Sequence, residues 1–110
     1  MRLTCVVKYV SDMQRAISFY KDQLGFALRF QSPEWSEFET GETTLALHIA
    51  SAEHPAGTSQ LGFGVEDIDK FYAEKRDSGV EFTAVPAELF GSRMARFKDS
   101  EGAECSVSGK

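Results

Sequence analysis

Val10-Ser11-Asp12-Met13 and Val65-Glu66-Asp67-Ile68 are two versions of one stretch, separated by 55 positions in the chain. In each version an aspartate, which caps helix N-termini well, follows a segment of alternating apolar residues. Apolar residues then recur at helical spacing, up to Gly25 in the first copy and Gly79 in the second. Because glycine readily takes the left-handed conformation that closes helices, the sequence predicts one helix in each half, the first of about 12 residues.

Around both predicted helices the apolar pattern changes to a period of 2, which is typical of strands. One strand precedes each helix and three follow it, so the unit is β-α-β-β-β and it occurs twice. A doubly wound parallel sheet needs a crossover helix between neighbouring strands, so this order excludes it and favours the α+β class. The predicted strands are residues 3–10, 26–30, 34–40, 43–49, 60–65, 80–85, 94–97 and 103–107.

The segment 51–59, which contains His54-Pro55-Ala56-Gly57, is the predicted linker between two modules. Module 1 is expected to span residues 1–50, and module 2 residues 60–108. Halves of this size bury too little surface to be stable alone, so the two modules must share a core. We therefore predict a single domain over residues 1–110.

Composition and charge narrow the class of protein. The net charge is −5 and the basic residues are scattered, which gives no electrostatic footprint for nucleic acid or an anionic membrane. No apolar run approaches the roughly 18 residues of a membrane span. We expect the chain to enter a strand at once, without room for a signal peptide. The two cysteines are expected on opposite sheet faces, which favours reduced thiols. We predict a cytoplasmic protein without nucleic-acid or membrane partners.

Three motifs in order make the pattern specific. They are Tyr9-Val10-Ser11-Asp12-Met13, then Phe19-Tyr20-Lys21-Asp22-Gln23-Leu24-Gly25-Phe26, and finally Phe97-Lys98-Asp99-Ser100-Glu101-Gly102. Together they resemble the vicinal oxygen chelate superfamily of glyoxalases, bleomycin-resistance proteins and extradiol dioxygenases, over essentially the whole chain. The resemblance implies that two tandem β-α-β-β-β modules form a curved mixed sheet around a concave pocket. It also implies a homodimer.

Metal-dependent members of that superfamily place metal ligands on the first and last strands of each module. The resemblance aligns those positions with Cys5, Ala46, Gln60 and Ser106 of this chain. The alanine side chain has no atom that can bind a metal, and the serine hydroxyl is a weak neutral ligand. Divalent metals prefer carboxylates and imidazoles. We therefore predict no metal and no cofactor. His48, two residues beyond Ala46, restores a metal site only if the strand register shifts.

The strand face that would hold the metal still predicts a pocket for a small molecule. Cys5, Val7 and Tyr9 alternate onto this face in the first strand, and Gln60 and Gly62 occupy it in module 2. The resemblance adds aromatic side chains and an arginine around the mouth, which suits a flat organic ligand. The candidate ligand-binding residues are Cys5, Val7, Tyr9, Trp35, Phe38, Ala46, His48, Gln60, Gly62, Phe90, Arg93 and Ser106.

Several of these residues have simpler explanations, which the sequence leaves open. Phe38 also fits an ordinary core, and Trp35 also fits a dimer interface. Arg93 is placed either to bind an anionic group of a ligand or to pair with Glu88 on the surface. The acidic stretch around Glu37 is expected to be a solvated sheet face without chemistry.

The two histidines and Cys5 carry similar alternatives. His48 either lines the pocket as a neutral hydrogen-bonding group or ends a strand in solvent. His54 is expected in solvent. Cys5 is a potential nucleophile with His48 as its base, although a small core thiol is the commoner state of such a cysteine.

Three classes of function remain. The preferred hypothesis is metal-independent binding of a small aromatic or amphipathic organic molecule in the sheet cavity, resembling bleomycin-resistance-type sequestration. The alternative is a metal-dependent glyoxalase I-like lyase or dioxygenase acting on a substrate with vicinal oxygens. The third is a non-catalytic interaction module. Since fold does not confer a reaction, the sequence leaves open whether the protein is an enzyme.

Overall fold

The computed structural model describes all residues from 1 to 110, and they form two compact units. Thr4–Ser59 form one unit, and Gln60–Lys110 form the other together with Met1–Leu3. The expectation of a single domain with a shared core stays a prediction. No helix is long and apolar enough to cross a membrane. The elements in chain order are β1 (Arg2–Val10), α1 (Met13–Ser18) with a π-helical turn (Phe19–Gln23), β2 (Ala27–Phe30), β3 (Trp35–Glu39), β4 (Thr44–Ile49), β5 (Ser59–Gly64), α2 (Ile68–Asp77), β6 (Phe82–Leu89), β7 (Ser92–Lys98) and β8 (Glu104–Gly109).

Each module forms a mixed sheet of four strands with the same topology. In module 1 the strand order is β2-β3-β4-β1, with β1 parallel to β4 and the other pairs antiparallel. In module 2 the order is β6-β7-β8-β5, with β5 parallel to β8. The predicted α+β class and the repeated β-α-β-β-β order are therefore confirmed.

The first helix begins and closes where the sequence predicts, but its second half differs. The Asp12 carboxylate accepts a hydrogen bond from the backbone N–H of Arg15 at 3.1 Å, and Gly25 closes the segment at a φ of +84°. The α-helical part ends at Ser18, and the N–H of Leu24 then bonds the carbonyl of Phe19, five residues back. The predicted helix of about 12 residues is thus present as one helical segment over residues 13–23, but its second half is π-helical, which apolar spacing does not reveal.

The second helix follows its sequence signals at both ends. The Asp67 carboxylate accepts a hydrogen bond from the N–H of Lys70 at 3.1 Å, and α2 runs over Ile68–Asp77. Gly79 then has a φ of +101°, a conformation that residues with a Cβ rarely adopt. The cap and the closing glycine thus set the length of this helix.

Each helix packs on one face of its own sheet. In module 1, Met13 and Ile17 of α1 contact Phe38 and Leu47. In module 2, the buried residues Ile68, Phe71, Ala95 and Val107 form the corresponding core. Removing a large apolar side chain from water stabilises a fold by about 1.5–3 kcal/mol. Both helices therefore fix which sheet face is core and which remains for other contacts.

Candidate functional site

The face of the module 1 sheet turned away from α1 is the candidate site, and we call it the helix-free face. Leu45 and Leu47 pack toward α1, so strand alternation places Ala46 and His48 on the helix-free face. Ala46 has Val7 and Glu37 as its partners on the neighbouring strands, and His48 has Tyr9 and Trp35. All the predicted ligand-binding residues of module 1 except Phe38 lie on this face. Its residues are Cys5, Val7, Tyr9, Arg29, Trp35, Glu37, Glu39, Thr44, Ala46 and His48.

Four ring side chains form a row on this face, which we call the aromatic row. The ring centroids of Trp35 and His48 are 5.9 Å apart and those of His48 and Tyr9 are 5.6 Å apart. His54 stacks on Tyr9 at 4.4 Å with an angle of 6° between the rings. These spacings are typical of favourable aromatic pairs. Trp35, His48 and His54 are half-buried, so the expectation that His54 lies in solvent was wrong.

The linker is bonded to β1, and this explains the position of His54. The N–H of Tyr9 donates to the carbonyl of Thr58 at 3.0 Å, and the carbonyl of Tyr9 accepts from the N–H of Gly57 at 2.9 Å. The ammonium of Lys8 donates to the carbonyl of Gly57 at 2.6 Å. These three bonds hold the linker against the strand, and the turn that precedes them carries His54 over the Tyr9 ring.

The orientation of His48 follows from one hydrogen bond. Its Nδ1 lies 2.7 Å from the carbonyl oxygen of Ile49. Because a carbonyl only accepts, Nδ1 carries the hydrogen in this contact, and in the neutral ring Nε2 holds the lone pair. His48 therefore presents an acceptor nitrogen as well as a ring surface.

A charged network borders the aromatic row. The guanidinium of Arg29 donates to Glu37 at 3.0 Å, to Glu39 at 3.0 Å and to Thr44 at 2.7 Å. The indole N–H of Trp35 donates to the other oxygen of Glu37 at 2.8 Å. The carboxylate of Glu37 thus joins the charged network to the aromatic row. An acidic side chain that contacts only solvent would make neither of these contacts.

Strand alternation places Arg29 on this face, and a β-bulge follows at the next pair of β2 and β3. Leu28 lies opposite Phe38 and packs in the core, whereas Phe30 already lies opposite Glu37. Two residues of β2 therefore face one residue of β3, and the extra residue is Arg29. Bulges often occur beside functional sites. The sequence pattern does not reveal the bulge, because β2 is only four residues long.

Cys5 is remote from His48 along the sheet. Cys5 lies opposite Thr44, and His48 lies opposite Tyr9, four residues further along β1. At about 3.3 Å per residue this separates them by roughly 13 Å, so the hypothesis of a Cys5–His48 nucleophile pair was wrong. Burial raises the pKa of the Cys5 thiol, the carboxylate of Glu37 raises it further, and Arg29 acts in the opposite direction. The thiol is therefore protonated at neutral pH.

Glu37→Gln is expected to lower the pKa of Cys5 and to speed its alkylation by iodoacetamide at pH 8 by about a few-fold, because thiolate is the reacting species. Peptide mass spectrometry distinguishes Cys5 from Cys105. Glu42→Gln, in the exposed β3–β4 turn, removes the same charge and is the control. Equal rates in the two variants would contradict the electrostatic link between Glu37 and Cys5.

The donor set at the family's metal positions does not fit a divalent metal. In module 1 these positions hold one protonated thiol, Cys5, and the methyl group of Ala46. In module 2 they hold the neutral side chains of Gln60 and Ser106. The β1–β4 register is continuous, so the shift that His48 would need is not observed. No group of three or more His, Cys, Asp or Glu side chains is placed to hold a metal ion.

The remaining predicted residues are distributed over module 2 and the core. Gly62 lies opposite Ser106 in the β5–β8 pair, and Gln60 is buried two residues earlier in β5. Phe90 is at the tip of the β6–β7 hairpin with 98% of its surface exposed. Phe38 is 0% exposed and packs against α1, so its assignment to the ligand site was wrong and the core alternative is correct.

Arg93 pairs with a different carboxylate from the one the sequence suggests. Glu88 is its cross-strand neighbour, but its guanidinium donates to both carboxylate oxygens of Asp69 in α2, at 2.9 and 2.8 Å. Asp69 is distant in sequence, so local charge spacing gave no signal for this pair. The bidentate contact occupies the fork that an anionic ligand would need.

The Arg93–Asp69 pair is expected to make a small contribution to stability that depends on pH. Hydrogen bonds from Arg93 lower the pKa of Asp69, with burial opposing and Coulomb attraction assisting. The contribution is therefore present above the ordinary carboxyl pKa and is lost as pH falls through the lowered value. Urea unfolding of the wild type and Asp69→Asn should show a stability difference that vanishes in acid. A difference that stays constant with pH would contradict this assignment.

A concavity lies beside α1 in module 1. It has a volume of about 660 Å³ and is lined by Lys8, Ser11, Arg15, Phe19 and Gly57 among others. Its two cations already donate hydrogen bonds, from Lys8 to Gly57 and from Arg15 to Ser11. Tyr9, Phe19 and Tyr20 also line this groove, and the ring centroids of Phe19 and Tyr20 are 5.2 Å apart. The helix-free face remains the candidate site because it brings together the predicted residues of module 1.

Comparisons with known proteins agree with this architecture. YraH of Bacillus subtilis (strain 168), described as uncharacterized, is 30% identical over 118 aligned positions that cover 92% of each chain. Hypothetical protein BH1468 from Bacillus halodurans C-125 has a TM-score of 0.83 at 17% identity, covering 99% of this chain and 94% of that one. Methylmalonyl-CoA epimerase from Mycobacterium tuberculosis has a TM-score of 0.80 at 19% identity, covering 98% and 87%. Such structural likenesses show the fold alone.

The sequence model of one family extends over nearly the whole chain. It is described as the Glyoxalase/Bleomycin resistance protein/Dioxygenase superfamily, and it matches residues 2–107. The motifs around Asp12 and Gly25 and the repeated module agree with this match. The chain belongs to the glyoxalase/bleomycin resistance protein/dioxygenase superfamily.

Proposed function

We propose that this protein binds a small, flat aromatic organic molecule on the helix-free face of module 1, without a metal, in the manner of bleomycin-resistance-type sequestration. The observation that carries the proposal is the aromatic row, whose four rings follow one another at 4.4 to 5.9 Å. Half-buried Trp35 and His48 offer ring surface that a flat ligand can cover. Stacking contributes about 0.5–1.5 kcal/mol per ring pair beyond the area it buries.

Polar groups beside the row give such a site its orientation. His48 supplies an acceptor nitrogen, and Glu37 is held in place by Arg29 and Trp35. Ligand sites commonly combine a mostly apolar surface with a few fixed polar groups. The helix-free face has this combination of rings and fixed polar groups.

The donor chemistry supports binding in preference to metal-assisted catalysis. Ala46 offers no ligand atom, and the nearest carboxylate, Glu37, already accepts hydrogen bonds from Arg29 and Trp35. We further propose that the protein acts as a homodimer in the cytoplasm. Its two free thiols are in keeping with a reducing compartment, and the homodimer is proposed from the family.

A thermal-shift series tests the proposed function. Protein dialysed against EDTA is heated with acridine, 2-naphthol or 9-aminoacridine, and separately with Zn²⁺, Ni²⁺ or Mn²⁺ without chelator. At least one ring compound is expected to raise Tm saturably in EDTA, since a ligand at 100 times its Kd stabilises by about 2.7 kcal/mol. Stabilisation by a metal alone, or by none of these additives, would contradict the proposal.

A further inference from the structure

We propose that Glu37 is the specificity-determining residue of this site, and that it selects a flat ring carrying a cationic group with N–H donors, such as an amidinium. The inference rests on the proposed function and adds the chemical class of the ligand. Its basis is the position of one carboxylate at the junction of the aromatic row and the charged network.

The hydrogen bonds of Glu37 leave one acceptor position beside the indole ring. Its Oε1 accepts two N–H groups of Arg29, from Nε at 3.3 Å and from Nη2 at 3.0 Å. Its Oε2 accepts one, from Nε1 of Trp35 at 2.8 Å. A carboxylate oxygen accepts about two hydrogen bonds, so Oε2 retains capacity for one more donor. The side chain of Glu37 is 29% exposed, which leaves it accessible.

Arg29 acts here as a positioning residue. Its Nε and Nη2 bond Glu37, its Nη1 bonds Glu39, and Nη2 also bonds Thr44. These contacts use most of the donors of the guanidinium, so Arg29 has little capacity left to bind an anionic ligand. They tie the bulge of β2 to β3 and β4, and thereby fix the direction of the Glu37 carboxylate.

The charges on this face favour a cation. Two carboxylates, Glu37 and Glu39, are compensated by a single guanidinium, Arg29, in a chain whose net charge is −5. The half-buried indole ring of Trp35 has a negative face that also attracts cations. The Glu37 carboxylate and the Trp35 ring therefore each favour a cationic ligand. A hydrogen bond of 2.8 Å joins the two side chains.

Two probes with the same ring and opposite charge test this inference. Isothermal titration calorimetry at pH 7 compares 2-naphthamidine with 2-naphthoate. The wild-type protein is expected to bind the amidine about tenfold or more tightly than the carboxylate. Equal affinities would overturn the inference without any variant being needed.

Glu37→Gln keeps an acceptor oxygen and the side-chain shape but removes the charge, so the preference for the amidine should fall to about threefold or less. Glu42→Gln removes the same unit of charge from the exposed β3–β4 turn and should leave the preference intact. An equal loss in both variants would mean that only net charge matters, and would overturn the assignment to Glu37.

The Arg29→Met variant tests whether Arg29 acts by positioning the Glu37 carboxylate or only through its own positive charge. Loss of a positive charge alone would strengthen binding of a cation, whereas loss of positioning weakens it. We expect the affinity for 2-naphthamidine to fall about fivefold, with partial recovery in Arg29→Lys, which can still donate to Glu37. Stronger binding by Arg29→Met would contradict the positioning role.

The outcomes also distinguish this inference from the proposed function. If both probes bind equally and Trp35→Ala abolishes binding of both, the site stands and the role of Glu37 is rejected. If neither probe binds and none of the neutral ring compounds stabilises the protein, both proposals are rejected.

Discussion

Trp35→Ala is expected to weaken binding of 9-aminoacridine by about 30-fold, because truncating a buried aromatic anchor commonly removes about 2 kcal/mol or more of binding free energy. Trp35 has its edge against His48, at 5.9 Å between ring centroids, and donates to Glu37. Its loss removes the largest ring of the aromatic row and one of the hydrogen bonds that hold the Glu37 carboxylate. Fluorescence anisotropy of the probe measures the affinity directly.

Two matched variants keep this prediction specific. Trp35→Phe retains a ring and should lose much less affinity than the alanine variant. Leu24→Ala removes an apolar side chain that is 53% exposed and lies outside the helix-free face, so its affinity should equal that of the wild type. Unchanged affinity in Trp35→Ala, or an equal loss in Leu24→Ala, would contradict the placement of the site.

Phe38→Ala is expected to lower the free energy of unfolding by about 3–5 kcal/mol, since the side chain is fully buried and its removal leaves a cavity. Phe38 contacts Met13, Ile17 and Leu47, so it joins α1 to the sheet. Urea unfolding followed by circular dichroism measures the change. Phe38→Leu, which fills most of the cavity, should remain folded if the alanine variant does not.

Phe30→Ala is the control for that experiment. Phe30 is 52% exposed, so its replacement should change the free energy of unfolding by only about 0.5 kcal/mol. A loss below about 1 kcal/mol in Phe38→Ala, or similar losses in both variants, would contradict the assignment of Phe38 to the core.

The parts of the fold that were predicted correctly depend on local chemistry. Asp12 and Asp67 cap helices through bonds to N–H groups three residues away, and Gly25 and Gly79 take positive φ values. Strand alternation likewise needs only neighbouring residues, and it correctly placed Tyr9 and His48 on one face. Such signals are contained in short windows of sequence.

The parts that were missed depend on partners distant in the chain. His54 stacks on Tyr9 because the linker is hydrogen-bonded to β1. In one of these bonds the partners, Lys8 and Gly57, are 49 residues apart in sequence. Arg93 pairs with Asp69 of α2, 24 residues away. Phe38 alternates with Glu37, but only the contacts of α1 decide which of the two is buried. No short window of sequence predicts these contacts.

The contacts of the charged network also depend on strand pairing that the local sequence does not reveal. The acidic stretch of β3 looked like a solvated face, because Arg29 comes beside Glu37 only through the β2–β3 register. The aromatic row was only partly foreseen, since Trp35 and His48 become neighbours through the β3–β4 register. The candidate site is thus a product of strand pairing, whereas the helix boundaries are local.

The most direct test of the account is a chemical-shift map of the metal-free protein titrated with 9-aminoacridine. The chain has a single tryptophan, so its indole N–H gives one resolved signal. Binding on the helix-free face predicts large shifts of the Trp35 indole and of the amides of Glu37 and His48, with EDTA present. Shifts confined to the groove beside α1, around Arg15 and Phe19, or no saturable shifts at all, would contradict the proposed site.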